Sequence, residues 1–460
     1  MVKKHILICP RAKKRKRQEA EPYFLENMNC GGHGRLVVNP VTSDSPSSKS
    51  EFKPGTSAWA KRIARRVLRA HQSIFKTDKT CDVSAITCRD IHNAIDVKDL
   101  SQGEIDAGIR EGFLSHNVKS GGDQHTIQIA SLIGHLRQMG YFEKRNQKKN
   151  SELDTDACDS SLLSDKGEPL VILEMGAGRG MFGLAAAGVA NASGLNTHFF
   201  MVDRAVSRSK AERTLRNSKK MKIDSSYLKF DDVNWCRLCC DVSHVNLPVV
   251  LQDDGKYKDA KIVVIAKHLC GAGTDLALKS LIPIRHKIDA CLIATCCHGI
   301  CSWQHYVGRD ILREVMEGEK CDDRDSSIPS FGPLEFDLLR RWSGATVASR
   351  KGKPKTSGGE TGDIDNSLED DGMEHTAPVE NDAENLSETN ISPVVRELGL
   401  SCSIQGLGRA CQRLIDYGRS EYIHRNIFQT NNERTVVNNL SQYVHPEVTP
   451  QNAILWAYRK

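Results

Sequence analysis

The chain has 460 residues, of which 39% are hydrophobic and 27% charged, and its 64 basic and 58 acidic side chains give a net charge of +6. This length indicates two or three units, and the mild basicity permits an anionic partner without requiring one. No run approaches the ~18 apolar residues of a membrane span, and the basic N-terminal segment lacks the apolar core of a secretory signal. Membrane proteins and small disulfide-bonded secreted proteins are thereby excluded, so we expect the 16 cysteines to be thiols or metal ligands.

Residues 1–55 are expected to form a basic, largely irregular arm. The basic run at residues 11–17 is typical of a nuclear address, of a phosphate-binding segment or of a solvated arm. We accordingly expect the protein in the nucleus, the cytoplasm or both. Cys9, Cys30 and His33 offer three ligands where structural zinc takes four, so the arm is interpreted as the remnant of a degenerate Cys/His finger, with zinc as its candidate metal.

Residues 56–143 are predicted to be helical. Apolar side chains recur at three- and four-residue steps from Trp59 to Ile74, which predicts an amphipathic helix. Its other faces form either an RNA-binding surface or a solvated basic face, and they carry Arg62, Arg65, Arg66 and Arg69. A second helix is predicted from about residue 124 to 139, and His125 and Gln128 share one of its faces because they are three residues apart.

Residues 144–167 are polar and are predicted to be a linker, and residues 168–460 are predicted to form an α/β unit. Short apolar runs with β-branched residues occur at 170–174, 197–202, 261–266 and 290–295, separated by helix-compatible stretches. Strands that alternate with helices indicate a parallel sheet covered on both faces. Within this unit, residues 351–390 are rich in Gly, Ser, Asp and Glu, which predicts a disordered acidic insertion.

A glycine-rich loop follows the first predicted strand and precedes a helix. It contains an acid two residues before a Gly-x-Gly-x-Gly pattern: Glu174, Gly176, Gly178 and Gly180. Glycines let the backbone turn sharply and approach a ligand closely. The dinucleotide fingerprint is Gly-x-Gly-x-x-Gly, which this loop does not match, so a nicotinamide-dependent oxidoreductase is disfavoured.

Two further acids follow the next strands. Asp203 ends the strand at 197–202, where a carboxylate can accept hydrogen bonds from both hydroxyls of a ribose. Asp241 follows the candidate strand at 235–240 and is a candidate contact for an adenine amino group. The alternative is that both acids are ordinary strand-end caps. The order of loop and acids favours the adenosyl-cofactor interpretation.

Two segments rich in Cys and His begin at predicted strand ends, which is the edge where open α/β sheets bind ligands. The first contains Lys267, His268, Cys270 and Asp275, and the second contains Cys296, Cys297, His298 and Cys301. The second set has the types of metal ligands, and Cys270 is a possible addition, but four ligands within six residues are cramped for structural zinc. The preferred interpretation is therefore a wall of the active site.

Several blocks resemble the eukaryotic tRNA 2′-O-methyltransferases that act on nucleotide four of the acceptor stem. These blocks are the glycine loop, Lys267-His-Leu-Cys-Gly271, Cys296-Cys-His298, the helical segment at 124–134, Arg341-Trp-Ser343 and the C-terminal segment at 411–422. The resemblance implies a doubly wound, Rossmann-like methyltransferase sheet with S-adenosylmethionine as methyl donor. It also implies tRNA as substrate and partner. His125 and Gln128 lie in the matching helical block and are candidate substrate contacts, and the basic helix offers the arginines above as phosphate contacts. Some members carry two zinc fingers before the helical region, which this chain retains only in part.

Methyl transfer to a 2′-oxygen requires alignment and the loss of a proton. Lys267 or His268 is our candidate proton acceptor, with Asp275 and His298 shaping the site. A lysine can act as a base only if its pKa is depressed. Two alternatives stay open: a methyltransferase of the same fold acting on protein or a small molecule, and a non-enzymatic RNA- or zinc-binding adaptor. The sequence does not indicate an oligomeric state.

Overall fold

The computed structural model describes residues 10–30, 54–75, 122–142, 169–205, 210–217, 229–251, 256–317, 330–348, 404–429, 435–444 and 448–460. The predicted linker at 144–167 and the predicted acidic insertion at 351–390 lie outside the described residues, as do Cys9 and His33. Among the described helices, none is both long and apolar enough to cross a membrane.

The described strands form one seven-stranded sheet. They are β1 (Leu170–Met175), β2 (Thr197–Val202), β3 (Asn234–Leu238), β4 (Lys261–Cys270), β5 (Ile288–Cys296), β6 (Val436–Gln442) and β7 (Ala453–Arg459). Their order is β3-β2-β1-β4-β5-β7-β6. Neighbours from β3 to β5 run parallel, whereas β7 is antiparallel to both β5 and β6. The prediction of an α/β unit with a mainly parallel sheet is confirmed.

Ten α-helices of the described chain surround or flank this sheet. They are α1 (Pro10–Glu19), α2 (Ser57–Phe75), α3 (Gly122–Gln138), α4 (Met181–Ala192), α5 (Lys210–Asn217), α6 (Leu247–Leu251), α7 (Ala272–Leu281), α8 (Arg309–Glu317), α9 (Pro333–Ala348) and α10 (Ile404–Tyr422). Short 3₁₀ turns follow α7 and β5, and a π-helical turn follows α10. The two helices predicted in the region 56–143 are present as α2 and α3.

Helix α1 lies in the arm that composition predicts to be irregular. Its ten residues are mostly Lys, Arg, Gln, Glu and Ala, which are good helix formers. Pro10 begins the helix, where a missing N–H costs least. Local propensity therefore outweighs the repulsion between the clustered positive charges.

The central strands are buried on both faces, which explains why they appear in the sequence as continuous apolar runs. Successive side chains of a strand point to opposite faces, so Ile172 and Phe199 join one core cluster while Leu173 and Phe200 join another. Helices α3, α4 and α5 contribute to the first cluster, and α6 and α7 to the second. A third cluster joins α2, α8, α9 and α10.

Parallel strands bring their carboxyl ends to one edge of the sheet. The residue pairs Met175–Val202 and Cys270–Cys296 lie in register at this edge. The register of β4 against β5 shifts between Lys267 and Leu269, so His268 lies at an irregularity of the ladder. Loops that follow β1, β2, β4 and β5 therefore meet where the sequence predicts a site.

Helix α10 packs closely on the loop before α8. Gly418 on the helix and Gly308 on the loop are so close that a Cβ on either glycine would collide with the backbone or ring facing it. Beside them, the Tyr306 hydroxyl donates a 2.8 Å hydrogen bond to the carbonyl of Ile415. This contact brings the C-terminal part of the chain to the end of β5.

We expect Gly418→Ala to destabilise the protein by about 1–3 kcal/mol, because the added methyl group would collide with the Tyr306 hydroxyl. Gly344→Ala in α9 is the matched control, since a Cβ there meets nothing within 4 Å. Its expected effect is neutral or stabilising by up to about 1 kcal/mol. Denaturant unfolding measures both, and equal effects would contradict the close packing of α10.

Candidate active site

The loop between β1 and α4 adopts a conformation that requires its glycines. The φ values of Gly176, Gly178 and Gly180 are +65°, +51° and +68°, in a region that residues with a Cβ rarely adopt. The N–H of Gly180 donates to the Ala177 carbonyl at 2.7 Å, which closes a tight turn. A Cβ on Gly178 would meet nothing within 4 Å, so the loop is open at this point. A ligand can therefore approach the backbone there.

Asp203 joins this loop to the end of β2. Its Oδ2 accepts a hydrogen bond from Gly178 N at 2.8 Å, and its Oδ1 accepts one from Ala205 N at 2.7 Å. Asp241, beyond β3, accepts hydrogen bonds from the N–H and hydroxyl of Ser243 through Oδ1, and neither bond uses Oδ2. Both carboxylates are only partly buried. An open glycine loop with carboxylates at the two following strand ends fits a cofactor that carries ribose and adenine.

Glu174, which we predict to bind the cofactor, lies beneath the loop rather than on its surface. The side chain is 2% exposed, and its Oε2 has no hydrogen-bond partner among the described residues. Burial raises its pKa to about 8, against the opposing effects of the Gly183 N–H and of Arg237 and Lys267. The acid is therefore close to neutral at physiological pH.

Arg237 on β3 is a contributor that the sequence pattern does not reveal. Its side chain is 5% exposed, and it pairs with Glu212 of α5. Its Nη2 donates to the carbonyl of Gly178 at 3.0 Å. An arginine on a strand gives no sequence signal of its own, because its partners lie 25 and 59 residues away. It supports the glycine loop from the side of β3.

Lys267 lies near the carboxyl end of β4 and is only 9% exposed. Burial lowers its pKa to about 8, although Glu174 and Cys296 act in the opposite direction. The depressed pKa that a lysine base requires is therefore present. Its Nζ lies 3.5 Å from His125 Nδ1 at the start of α3. Burial, followed by the charge of Lys267, lowers the pKa of His125.

Gln128 joins the same group from α3. It is 6% exposed, and its hydrogen bond to His125 acts on the pKa of that histidine. Of the two residues predicted from the helical block, His125 thus lies beside Lys267, and Gln128 contacts His125. His268 lies in β4, but its side chain is outside the described residues, and its role stays a prediction.

Asp275 and His298 are brought together, but away from open space. Arg419 of α10 binds Asp275 through two hydrogen bonds, of 3.1 Å from Nε and 2.7 Å from Nη2. Asp416, one turn earlier on α10, accepts from Arg419 at 3.3 Å and lies 2.8 Å from His298 Nε2. Thr295 donates to the same Asp416 at 2.7 Å. We call these five residues the α10 clamp.

The α10 clamp is fully enclosed. Asp275, Asp416 and Arg419 are each 0% exposed, and His298 is 2% exposed. Burial alone would raise the pKa of Asp416, but His298 and Arg419 outweigh it and lower that pKa. The geometry therefore favours a role for Asp275 and His298 in shaping the site over direct chemistry. The sequence does not reveal that Arg419 is the ion-pair partner of Asp275, because the two residues are 144 positions apart in the chain.

The cysteines divide differently from the predicted set. The Sγ atoms of Cys270, Cys296 and Cys297 lie within 4.8 Å of one another. The Sγ atom of Cys301 instead accepts a 3.2 Å hydrogen bond from Arg419 Nη2, and His298 Nε2 lies 2.8 Å from Asp416 Oδ2. Of the four residues that have metal-ligand types in the sequence, Cys296 and Cys297 therefore lie with Cys270, while His298 and Cys301 contact the residues of α10. In the arm, Cys30 is partly exposed, while Cys9 and His33 lie outside the described residues, so a zinc site there stays a prediction.

The four arginines proposed to contact RNA lie on α2. The apolar face of this helix packs into the third core cluster with α10. Arg65 and Arg69 are exposed, whereas Arg62 and Arg66 are partly buried. The basic face is therefore on the surface, as its periodicity predicts.

We expect Arg419→Met to destabilise the protein by about 3–5 kcal/mol, because it leaves Asp275 and Asp416 as buried charges without a cation. The deficit should shrink at acid pH, because Asp416, whose pKa His298 and Arg419 hold below its usual value, can then take up a proton. Arg425→Met is the control, since its ion pairs with Glu314 and Glu421 are partly exposed and should contribute under about 1 kcal/mol. Urea unfolding at neutral and acid pH measures the free energy of unfolding of both variants. Equal losses of stability in Arg419→Met and Arg425→Met would contradict the α10 clamp.

Comparison with known proteins gives a consistent result. A family model described as "Methyltransferase TRM13" matches residues 127–458. A relative from Vanderwaltozyma polyspora, named "tRNA:m(4)X modification enzyme TRM13", is 23% identical over 99% of this chain and 85% of its own length. The protein of the same name from Saccharomyces cerevisiae is 23% identical, covering 100% of this chain and 82% of the relative. The homologue from Homo sapiens is 25% identical over 62% of this chain and 59% of its own length.

Proposed function

The chain belongs to the TRM13 methyltransferase family, and on that premise we propose that it methylates the ribose 2′-hydroxyl of nucleotide 4 in the acceptor stem of tRNA. The observation that carries the proposal is the position of Lys267. This lysine, with its depressed pKa, lies at the same sheet edge as the open glycine loop in a chain that matches the family over residues 127–458. The family supports neither an oxidoreductase nor a non-enzymatic adaptor, and the names of the relatives favour tRNA over protein or a small molecule.

We further infer that the sheet is a doubly wound, Rossmann-like methyltransferase sheet. The order β3-β2-β1-β4-β5-β7-β6 supports this inference, because the chain reverses direction across the sheet between β1 and β4. Ligands of open α/β sheets bind at such a switch point, outside the carboxyl ends of the strands. The glycine loop after β1 and Lys267 on β4 flank that position.

The donor in this proposal is S-adenosylmethionine, which supplies an electrophilic sulfonium methyl group when bound. The Gly178 backbone is open to the methionyl part, and Asp203 can accept hydrogen bonds from ribose hydroxyls. Asp241 retains Oδ2 for the adenine amino group. These residues bind and orient, and alignment supplies much of the rate of a methyl transfer.

Lys267 takes the proton of the 2′-hydroxyl in this proposal. A neutral amine is available to a substantial extent because burial brings its pKa to about 8. The proton moves from the 2′-oxygen to Nζ, and the resulting ammonium faces the buried carboxyl of Glu174 and the ring of His125. A positioned base of this kind contributes about 10²–10⁴-fold to the rate.

Helix α1 provides a surface for the tRNA backbone. Residues that follow it bind the loop after β3: Leu25 N donates to His244 O at 2.8 Å, and Asn29 Nδ2 donates to Val242 O at 2.7 Å. Gln18 on the helix itself donates to Arg204 O at 2.9 Å. These contacts hold α1 beside the loops that carry Asp203 and Asp241.

The outer face of α1 is strongly basic. Five cations of the helix are exposed, of which Arg15 pairs with Glu19 and Glu26: Lys13, Lys14, Arg15, Lys16 and Arg17. An acceptor stem is read mainly through phosphates, 2′-hydroxyls and shape, and exposed cations fixed beside the cofactor edge suit that mode. We propose α1 and the arginines of α2 as phosphate contacts.

The test is transfer of labelled methyl from S-adenosylmethionine to total tRNA, followed by digestion and mapping of the modified nucleoside. The proposal expects label in a 2′-O-methyl nucleoside at position 4. Label in a base, at another position or only in protein would overturn it. Cofactor binding measured in parallel separates an inactive preparation from a wrong substrate.

We expect activity at saturating substrates to rise about tenfold from pH 7 to pH 9, because the neutral fraction of Lys267 rises from about a tenth to about nine tenths across a pKa of about 8. Lys267→Arg should lower kcat by about 10²–10⁴-fold at all these pH values, since arginine stays protonated. Single-turnover rates measure both effects.

The matched variant for that experiment is Asp203→Asn, which should weaken S-adenosylmethionine binding by about 10–100-fold in calorimetry. Lys267→Arg should leave the affinity for S-adenosylmethionine within a few-fold of that of the parent protein. Asp232→Asn, at an exposed position, should change neither this affinity nor the single-turnover rate. A Lys267→Arg variant with the parental rate and pH profile would exclude this lysine as the base.

We expect Lys14→Glu combined with Arg17→Glu to lower kcat/KM for tRNA about tenfold. The slope of log binding constant against log salt concentration should become shallower by the amount that corresponds to about two phosphate contacts. S-adenosylmethionine binding should not change. The control is Lys258→Glu combined with Arg285→Glu, which makes the same charge change near the amino ends of β4 and β5. Equal losses in the two variants would indicate a general charge effect and contradict a specific surface on α1.

A further inference from the structure

We propose that Cys270, Cys296 and Cys297 form a binding site for a thiophilic divalent cation of the Zn²⁺ class, held by three thiolates with a fourth position open to solvent. This site is separate from the finger remnant of the arm, and it does not depend on the proposed tRNA substrate. It also differs from the cramped four-residue set that the sequence contains, because His298 belongs to the α10 clamp and Cys301 contacts Arg419 of that clamp.

The sheet itself brings the first two sulfurs together. Cys270 ends β4 and Cys296 ends β5, and the two residues are direct partners in the parallel ladder. Their Sγ atoms lie 3.6 Å apart. Two thiolates bound at about 2.3 Å to one tetrahedral ion are separated by about 3.8 Å, whereas a disulfide requires about 2.05 Å. The separation therefore matches shared coordination better than a covalent bond.

The third sulfur reaches the group through an unusual backbone. Cys297 has φ +51° and ψ +43°, the left-handed region that residues with a Cβ rarely adopt. Asn27 and Phe142 are the other residues with a Cβ at positive φ in the described parts of the chain. Strained conformations persist where surrounding structure or a ligand requires them. Here the turn directs the chain out of β5 while keeping Cys297 Sγ within 4.8 Å of the other two sulfurs.

Exposure is graded across the three residues. Cys296 is buried, Cys297 is partly buried and Cys270 is exposed, so an ion can enter from the side of Cys270. Three protein ligands with one open position are the arrangement of zinc sites that exchange a ligand. A bound ion would join the ends of β4 and β5 three residues beyond Lys267, and would thereby fix the strand irregularity from which that lysine projects.

The experiment measures metal by mass spectrometry and by titration with Co²⁺, in a full-length Cys9→Ser/Cys30→Ser background that removes the arm residues. We expect one equivalent of bound metal and a thiolate-to-cobalt charge-transfer band. Both should be lost in Cys270→Ser and in Cys297→Ser. Cys236→Ser is the matched control, since it removes an exposed cysteine on β3 outside the group, and it should retain both signals.

Binding of S-adenosylmethionine by each variant verifies that its fold is intact, because Cys270 is exposed and its replacement should be tolerated. Absence of metal and of the cobalt band in the parent protein would overturn the proposal. So would a cobalt band of equal intensity in Cys270→Ser, or a disulfide between Cys270 and Cys296 in protein purified under mild reducing conditions.

Discussion

The arrangement of the site depends on a buried charge, the guanidinium of Arg419. This side chain is completely enclosed, so its desolvation must be compensated by the carboxylates of Asp275 and Asp416 in correct geometry. The three residues come from the start of α7 and from α10, and Thr295 and His298 connect them to the end of β5. Because α10 also packs through Gly418, the C-terminal segment is locked against the carboxyl edge of the sheet. Arg419 also donates to the carbonyl of Gly271 at 3.2 Å, so the α10 clamp contacts the residue that directly follows β4, the strand that carries Lys267.

The same edge contains a pair of buried groups, Lys267 and Glu174, whose pKa values are shifted toward each other. Burial lowers the pKa of Lys267 and raises that of Glu174, each to about 8. The folded state binds more protons at Glu174 than the unfolded chain between about pH 4.5 and 8, so this group's contribution to stability falls as pH rises through that window. The folded state binds fewer protons at Lys267 between about pH 8 and 10.5, so its contribution rises there. The pair therefore destabilises the fold most near the pH at which a lysine base operates.

Sequence patterns predict the parts of this structure that depend on local composition. Doubly buried strands appear as apolar runs, and the glycine loop needs positive φ at spaced positions, so both are visible in the sequence. The partners of Asp275 and of the glycine loop are not, because Arg419 and Arg237 lie 144 and 59 residues away in the chain. The cysteines illustrate the same limit. Cys296, Cys297, His298 and Cys301 are close in sequence, yet the left-handed turn at Cys297 sends the last two to α10 and leaves the first two facing Cys270.

The arm is the other place where composition and structure differ, and it connects the two proposed binding surfaces. Several of its hydrogen bonds go to backbone carbonyls of residues 204, 242, 243, 244 and 245, which immediately follow Asp203 and Asp241. The same short loops therefore hold the two carboxylates at the cofactor edge and the basic helix α1. Gln18 of α1 makes the contact to residue 204, and Leu25 and Asn29, which follow the helix, make those to the loop after β3. In the proposed function, tRNA phosphates bound to α1 would lie beside the loops that carry Asp203 and Asp241, so the proposed RNA surface and the proposed cofactor site share the same short loops.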